Sequence, residues 1–373
     1  MIKTILFDVD GVLLSEEHYF DASALTVWEL LISDKYLGLS PEQFKTDYTE
    51  DEIKTIREHV FQNDEVLKFQ KSRGLNANWD MIYLSFSHQL IHIFSQIDEA
   101  EKIKRWLQAP ITREILLEIG QVLKNYNVKT NFNLFVEDFQ RSSAAKQELL
   151  GYLNEVAKEK LGVETSIFSE DRALWSVCEH VSQEWYVGDD NVLASTGRPS
   201  VQHGKKGFLV NETTLAVPEE ISMLFHFLNN SGFKIGIGTG RPALETIQPF
   251  QHLNWLKHFD ENHIVTADEV LSAEKEFPDK GSLSKPHPFT YITAIHGKTT
   301  PVEDCLRTAL PIKNREKVLV VGDSLADLLA ARQMGCPFAA VLTGLSGKDA
   351  RSEFEKYEAD YILDSVLNIK DIL

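Results

Sequence analysis

The first apolar run, Ile5-Leu6-Phe7, is short, unbroken and stopped by a carboxylate. Such a run predicts a buried strand, placed here at residues 2–8. After Val12 the pattern changes. From Ser15 to about Phe168, apolar residues recur at spacings of three and four, which predicts helices with one buried face. Phe20, Leu25, Val27, Leu30 and Leu31 begin the first of them. Ser40-Pro41-Glu42 predicts an N-cap with proline at the first helical position. Asn76 to Trp106 reads as helical, with Trp79, Ile82, Tyr83, Phe86, Leu90, Ile93 and Phe94 on its stripe. Pro110 opens another helix, Arg141 to Leu161 is a further one closed by Gly162, and Ser169 to Val187 follows. Gly188-Asp189-Asp190-Asn191 predicts a solvated turn, and Ala194 to Gly207 an irregular connection. Gly204-Lys205-Lys206-Gly207 lacks the spacing of a phosphate loop and any preceding strand, so it reads as a basic surface turn.

From Pro218 the pattern alternates between helix and strand. Strands are predicted at Phe233 to Ile237, His263 to Thr266, Lys317 to Val321, Phe338 to Leu342 and Tyr361 to Leu363. Helices start at Pro218, after Pro242, at Pro288 and at Leu325, the last stopping at Gly335. Alternation of this kind predicts an α/β class, a doubly wound parallel sheet. The sheet domain is split between residues 1–14 and 215–373, with a large inserted α-helical cap domain at residues 15–214. The insertion follows the carboxyl end of the first strand, the edge at which open α/β sheets bind ligands, so it is placed to act as a lid.

Bulk properties narrow the picture further. A chain of 373 residues exceeds one ordinary core, in keeping with two domains. Its 43% apolar and 25% charged residues are those of a globular protein. A formal net charge of -18 is repelled by nucleic acid and by anionic lipid, so neither is an expected partner. Cys178, Cys305 and Cys336 show no zinc spacing and read as free thiols of a reducing compartment. No signal-peptide pattern and no long apolar run is seen, and the cytoplasm is the expected location. The sequence leaves the oligomeric state open, a homo-oligomer included.

The candidate chemistry sits at the predicted strand ends. Asp8 and Asp10 close the first, Thr239 follows the second, Lys285 precedes the helix at Pro288, and Asp323 and Asp327 follow the Lys317 strand. Each has an ordinary explanation by itself: a helix cap for Thr239 or Asp323, a solvated lysine, a helix-dipole acid for Asp327. In a parallel sheet, however, all strand carboxyl ends share one edge. Together these residues supply a carboxylate nucleophile, a carboxylic acid, phosphoryl-binding hydroxyl and ammonium groups, and oxygen ligands for Mg²⁺. That set suits phosphoryl transfer.

The chain resembles the haloacid dehalogenase-like (HAD) hydrolase superfamily, in the branch that includes phosphoglycolate phosphatase and β-phosphoglucomutase. The resemblance rests on Asp8-Val9-Asp10-Gly11-Val12, on Thr239 in Gly238-Thr239-Gly240-Arg241-Pro242, on Lys285 in Ser284-Lys285-Pro286-His287-Pro288, and on Gly322-Asp323-Ser324-Leu325-Ala326-Asp327. It covers residues 1–20 and about 215–373. It implies a Rossmann-like core and a Mg²⁺ cofactor held by Asp8, Asp323 and the backbone carbonyl of Asp10. It implies Asp8 as nucleophile, Asp10 as general acid and base, and Thr239 with the Gly240 amide as phosphoryl binders. Lys285 would neutralise Asp8 and the transferring group, and Asp327 would support the ligands or join them. The implied activity is hydrolysis of a small phosphorylated metabolite through an aspartyl-phosphate. A sugar phosphomutase and a non-catalytic binding protein on the same fold are the alternatives. Asp10 argues against dehalogenation, which lacks the second acid. Tyr19-Phe20 stands where the mutases carry a tyrosine and then a histidine. Arg141, Lys146, Arg172 and Lys205 are candidate anion holders in the insertion. Arg241 and Pro242 are common to several groups of the superfamily and name no substrate.

Overall fold

β1 (Thr4–Phe7) lies in the interior of a six-stranded sheet. The other strands are β2 (Lys234–Gly238), β3 (Ile264–Val265), β4 (Val318–Gly322), β5 (Phe338–Val341) and β6 (Tyr361–Leu363). Their order is β3-β2-β1-β4-β5-β6, and every pairing is parallel. This is a Rossmann-like order, and the chain reverses its direction of growth across β1 and β4. The computed structural model describes residues 2–75, 77–145, 148–170 and 172–373.

Alternate side chains explain the layers. Ile5 and Phe7 join Ile235, Ile237, Leu319, Val321, Ala339 and Val341 on one face, under the helix Pro218–Asn230. Leu6, Val318, Val320, Phe338 and Ala340 join the other face, under the helices Phe289–His296 and Leu325–Met334. Burial on both faces leaves no polar alternation, which is why these strands read as unbroken apolar runs. Each fully buried Phe, Ile, Leu or Val contributes about 1.5–3 kcal/mol.

The chain divides into two compact units, Met1–Glu17 with Leu209–Leu373, and His18–Phe208. Within the first, the two segments that leave and re-enter the sheet unit pair antiparallel. Ser15 N–H donates to Thr213 C=O at 2.8 Å, and Leu215 N–H to Leu13 C=O at 3.1 Å. The second unit is built of helices, the longest being Glu17–Ile32, Asn78–Phe94, Glu148–Leu161 and Arg172–Val187. Among the described residues, no helix is long and apolar enough to cross a membrane.

Several local expectations are corrected. Ser40-Pro41-Glu42 starts only one 3₁₀ turn, Pro41–Gln43, because the Ser40 hydroxyl donates to Leu39 C=O instead of capping. The next helix, Glu50–Val60, starts at a Thr49/Glu52 capping box. The expected helix from Asn76 to Trp106 is two helices, Asn78–Phe94 and Ala100–Trp106; Asn76 lies outside the described residues. Ser95 and Gln96 side chains both donate to His92 C=O at the break, taking over a helix-end carbonyl. Of the helix expected from Arg141 to Leu161, Glu148–Leu161 is helical and residues 141–145 are not; residues 146 and 147 lie outside the described residues. Ser142 Oγ accepts from Ala144 N–H at 2.9 Å, a local turn that competes with helix. The stretch expected to be helical from Ser169 to Val187 is helical over Ile167–Glu170 and Arg172–Val187; Asp171 lies outside the described residues. Asp189 and Asp190 are not a solvated turn but open the helix Asp189–Thr196. Asp189 also accepts from Ser200 Oγ at 2.6 Å and from Gly204 N–H at 2.5 Å.

Candidate active site

The ladder itself brings the first acids together. Asp8 N–H donates to Val321 C=O at 2.9 Å, so Asp8 ends β1 level with the end of β4. Two residues after Val321 stands Asp323. Phe7 pairs with Ile237, so Thr239 lies one residue past the level of Asp8 on the opposite side. Gly11 turns the chain at φ 69°. It also makes room, since a Cβ there would fall 2.0 Å from Asp323 Oδ2. Gly344 would put a Cβ equally close, so two backbones press against this carboxylate where only glycine fits.

Lys285 joins two of the acids. Its Nζ lies 3.0 Å from Asp8 Oδ1 and 2.7 Å from Asp327 Oδ1. Asp8 Oδ1 also accepts from Val9 N–H at 2.8 Å, and among the described residues Oδ2 takes no hydrogen bond. Asp327 is fully buried and committed at both oxygens. Oδ1 accepts from the Tyr291 hydroxyl at 2.7 Å and Oδ2 from the Ser324 hydroxyl at 2.6 Å. Ser324 Oγ in turn accepts from Asp327 N–H, so Ser324 rather than Asp323 caps the helix.

Carboxylate oxygens of Asp8, Asp323 and Asp327 all lie within 4.8 Å of one another. Among the described residues, no basic side chain pairs with Asp323. A hard, all-oxygen donor set of this charge, short of one balancing cation, fits Mg²⁺. The electrostatics agree. Burial, then Asp327 and Asp8, holds the Asp323 carboxyl well above the usual range. Burial pushes Asp8 up to about 7 against the pull of Lys285. Lys285 is held above its ordinary value because Asp327 and Asp8 outweigh the cost of its burial. Asp327 goes the other way, below the usual range: burial opposes its charge, but Lys285 and the Ser324 and Tyr291 hydroxyls prevail. A divalent cation among these groups would favour the ionised form of each carboxyl.

Asp10 stands apart from that cluster. Its Oδ1 is 2.6 Å from Arg241 Nε. Burial raises its carboxyl to about 6 although Arg241 pulls it down. Thr239 is buried and its hydroxyl accepts from Arg241 N–H at 3.2 Å. Gly240 is exposed, and a Cβ on it would meet nothing within 4 Å.

Sequence reasoning missed four contributors: Arg241, Glu212, Tyr291 and Ser324. The position of Arg241, straight after Thr239-Gly240 at a strand end, was the available signal. Nothing near Glu212 or Tyr291 in the sequence marks them. The candidate anion holders in the insertion do not form one group. Arg141 is exposed and 3.8 Å from Glu159, and Arg172 is exposed beside Trp175. Lys146 lies outside the described residues.

Lys205 is the largest correction. It is no surface turn residue but is fully buried, paired with Glu29 at 2.8 Å and with Glu184. The two acids differ in support. Glu184 also accepts from Val201 N–H at 2.8 Å and lies 3.2 Å from His180 Nε2. Among the described residues, Glu29 has only Lys205 as an ionic partner. Burial therefore pushes Glu29 up to about 7 despite Lys205, while Glu184, whose burial is overcome by His180 and Lys205, falls to about 2. A raised carboxyl contributes stability that is full below about 4.5 and lost as pH rises through about 7. Removing that loss by Glu29→Gln is expected to make the helical unit relatively more stable than wild type as pH rises from 5 to 8. Urea unfolding at both pH values checks this, and a difference independent of pH would refute it.

An X-ray structure described as Northeast Structural Genomics Consortium target ZR25 is 37% identical, with a TM-score of 0.90, covering 100% of this chain and 98% of that one. A family model described as HAD-hydrolase-like matches residues 282–369, the stretch carrying Lys285, Asp323 and Asp327. The chain belongs to the HAD-like hydrolases. A hydrolase from Pseudomonas syringae is 13% identical at a TM-score of 0.39, covering 99% of this HAD-like chain and 96% of its own. CbbY from Rhodobacter sphaeroides in complex with phosphate has the same identity, score and coverages. Likenesses this distant carry no argument about the HAD-like hydrolase described here. A search of curated proteins found no match.

Proposed function

We propose that the chain is a Mg²⁺-dependent phosphatase of small phosphorylated metabolites, acting through an aspartyl-phosphate on Asp8. The observation that carries the reading is the Asp8–Lys285–Asp327 chain at the switch point of the sheet, with Asp323 beside it and Asp10 turned to a different partner. Asp8 has one oxygen held and the other available for attack. Lys285 would offset the charge of the transferring phosphoryl group, and Thr239 and the Gly240 amide would hold its oxygens. Asp8 and Asp323, with the Asp10 carbonyl, would hold the metal, which supplies further charge neutralisation when bound. Asp10, raised to about 6, is suited to give a proton to the leaving oxygen and to take one from water afterwards. The raised pKa is the consequence of burial that a general acid needs near neutral pH.

The test is phosphate release from p-nitrophenyl phosphate with Mg²⁺ and after chelation. Turnover that depends on Mg²⁺ supports the reading; turnover unaffected by chelation overturns the metal. Asp323→Asn removes a ligand charge and is expected to weaken Mg²⁺ binding at least about tenfold by calorimetry. Unchanged binding would remove Asp323 from the ligand set. Isomerised sugar phosphate with little free phosphate would favour a phosphomutase instead.

A further inference from the structure

Arg241 is a buried charged group beside Asp10 to which the phosphatase reading gives no task. Its side chain is 1% exposed, and its guanidinium is held in several directions. Nε reaches Asp10 Oδ1 at 2.6 Å, and Nη1 reaches Glu212 Oε1 at 2.6 Å. Nη1 also donates to Glu245 C=O at 3.3 Å, and Nη2 to Ser15 C=O at 3.4 Å. Glu212 is itself buried, with a side chain 1% exposed. Ser15 and Glu212 belong to the two paired segments that leave and re-enter the sheet unit. One planar fork thus ties Asp10 to both segments and to the helix Ala243–His252.

This arrangement leaves Asp10 little choice of orientation. Oδ1 is committed to Nε, and among the described residues Oδ2 takes no hydrogen bond. Resting on the phosphatase reading, we propose that Arg241, anchored by Glu212, is the positioning residue of the general acid. It fixes Asp10 with Oδ2 as the oxygen that exchanges the proton. In the first half-reaction a bond forms between Asp8 Oδ2 and phosphorus as the ester P–O bond breaks. The leaving oxygen takes the proton from Asp10. In the second, water attacks phosphorus, returns a proton to Asp10, and frees phosphate and Asp8. Arg241 touches none of the reacting atoms. It acts by holding the carboxyl that moves the proton, and Glu212 acts one step further back.

The dependence on the leaving group distinguishes this role from general scaffolding. A poor leaving group needs the proton; a good one does not. Phenyl and p-nitrophenyl phosphate are nearly equal in size and differ greatly in leaving ability. Glu212→Gln keeps shape and hydrogen bonding but removes the anchoring charge; Arg241→Lys keeps charge but not the fork. Both are expected to lower kcat on phenyl phosphate by about 10- to 100-fold, and on p-nitrophenyl phosphate by less than about threefold, with KM little changed. In an Asp10→Asn background, Glu212→Gln is expected to add no further loss. Thermal melting and Mg²⁺ calorimetry on each variant report folding and metal binding separately. Equal loss on both esters, no loss on either, or a wild type that cleaves only the nitrophenyl ester would overturn the proposal while leaving the phosphatase reading in place. A wild type that cleaves neither ester removes the phosphatase reading and the proposal together. Should Arg241→Lys fail to fold, the isosteric Glu212→Gln variant decides alone.

Discussion

Asp8→Asn is expected to lower kcat by at least about 10⁴-fold, because an amide cannot form the acyl-phosphate bond of the proposed reaction. The expectation follows from how Asp8 is held. Val9 N–H and Lys285 fix Oδ1 at 2.8 and 3.0 Å and leave Oδ2 as the oxygen that would attack in the proposed reaction. Asparagine preserves the volume and an acceptor, so little repacking follows. The buried carboxyl already titrates near 7, so its charge is costly to the fold near neutral pH. Melting temperature is therefore expected to hold or rise while activity disappears, the opposite directions that mark a site kept for function rather than stability. Phosphate release and thermal melting on one preparation check both halves. Retention of more than about 1% of turnover would sink Asp8 as the nucleophile.

Lys205→Met carries the largest expected effect on stability, and it lies in the other unit. Methionine fits the aliphatic stem but leaves Glu29 and Glu184 buried without their shared cation. Removing one partner of a buried ion pair costs about 3–5 kcal/mol. Lys205 serves two, and its ammonium also sits 4.9 Å from the Trp185 ring centroid. Glu184 retains His180 and two backbone N–H donors, so the residual penalty falls mainly on Glu29. Adding Glu29→Gln to Lys205→Met is therefore expected to recover a substantial part of the loss. Urea unfolding followed by tryptophan fluorescence reports on Trp185 directly. A loss below about 1 kcal/mol, or no recovery in the double variant, would show that the pair is not what holds this core together.

These two residues also show what kind of information the sequence held. Asp8 was legible because its environment is local: an apolar run, a carboxylate, and a glycine that turns the chain. The same holds for Thr239, Lys285, Asp323 and Asp327, each beside a recognisable strand or helix signal. Lys205 was misread for the complementary reason. Its neighbours, Gly204, Lys206 and Gly207, are those of an exposed turn. Its partners are far away in the chain, and only packing brings Glu29 and Glu184 to it. Arg241 met the same obstacle at smaller cost. Its position after Thr239-Gly240 was visible, but its bonds to Asp10 and Glu212 span 231 and 29 residues.

The helical stretches behaved similarly. Periodicity found the buried faces, yet helix ends depended on side chains that compete with the backbone, as Ser40, Ser142 and Ser95 do. Such bonds carry about 1 kcal/mol each and leave no trace in hydrophobic spacing.

The sequence by itself determined the α/β class, the residues that close each strand, and the chemical kit they make. Both follow from short-range rules: burial on two faces makes unbroken apolar runs, and a parallel sheet gathers its strand ends at one edge. The tertiary structure alone decided how that kit is divided. It gave Asp8 and Asp327 to Lys285, left Asp323 without a basic partner among the described residues, and gave Asp10 to Arg241. Each assignment is a choice among charges of like type, made by distances of 2.6–3.0 Å between residues remote in the chain. Residue spacing cannot encode that choice, because Coulomb energy in a buried site depends on position in space and on the water excluded from it.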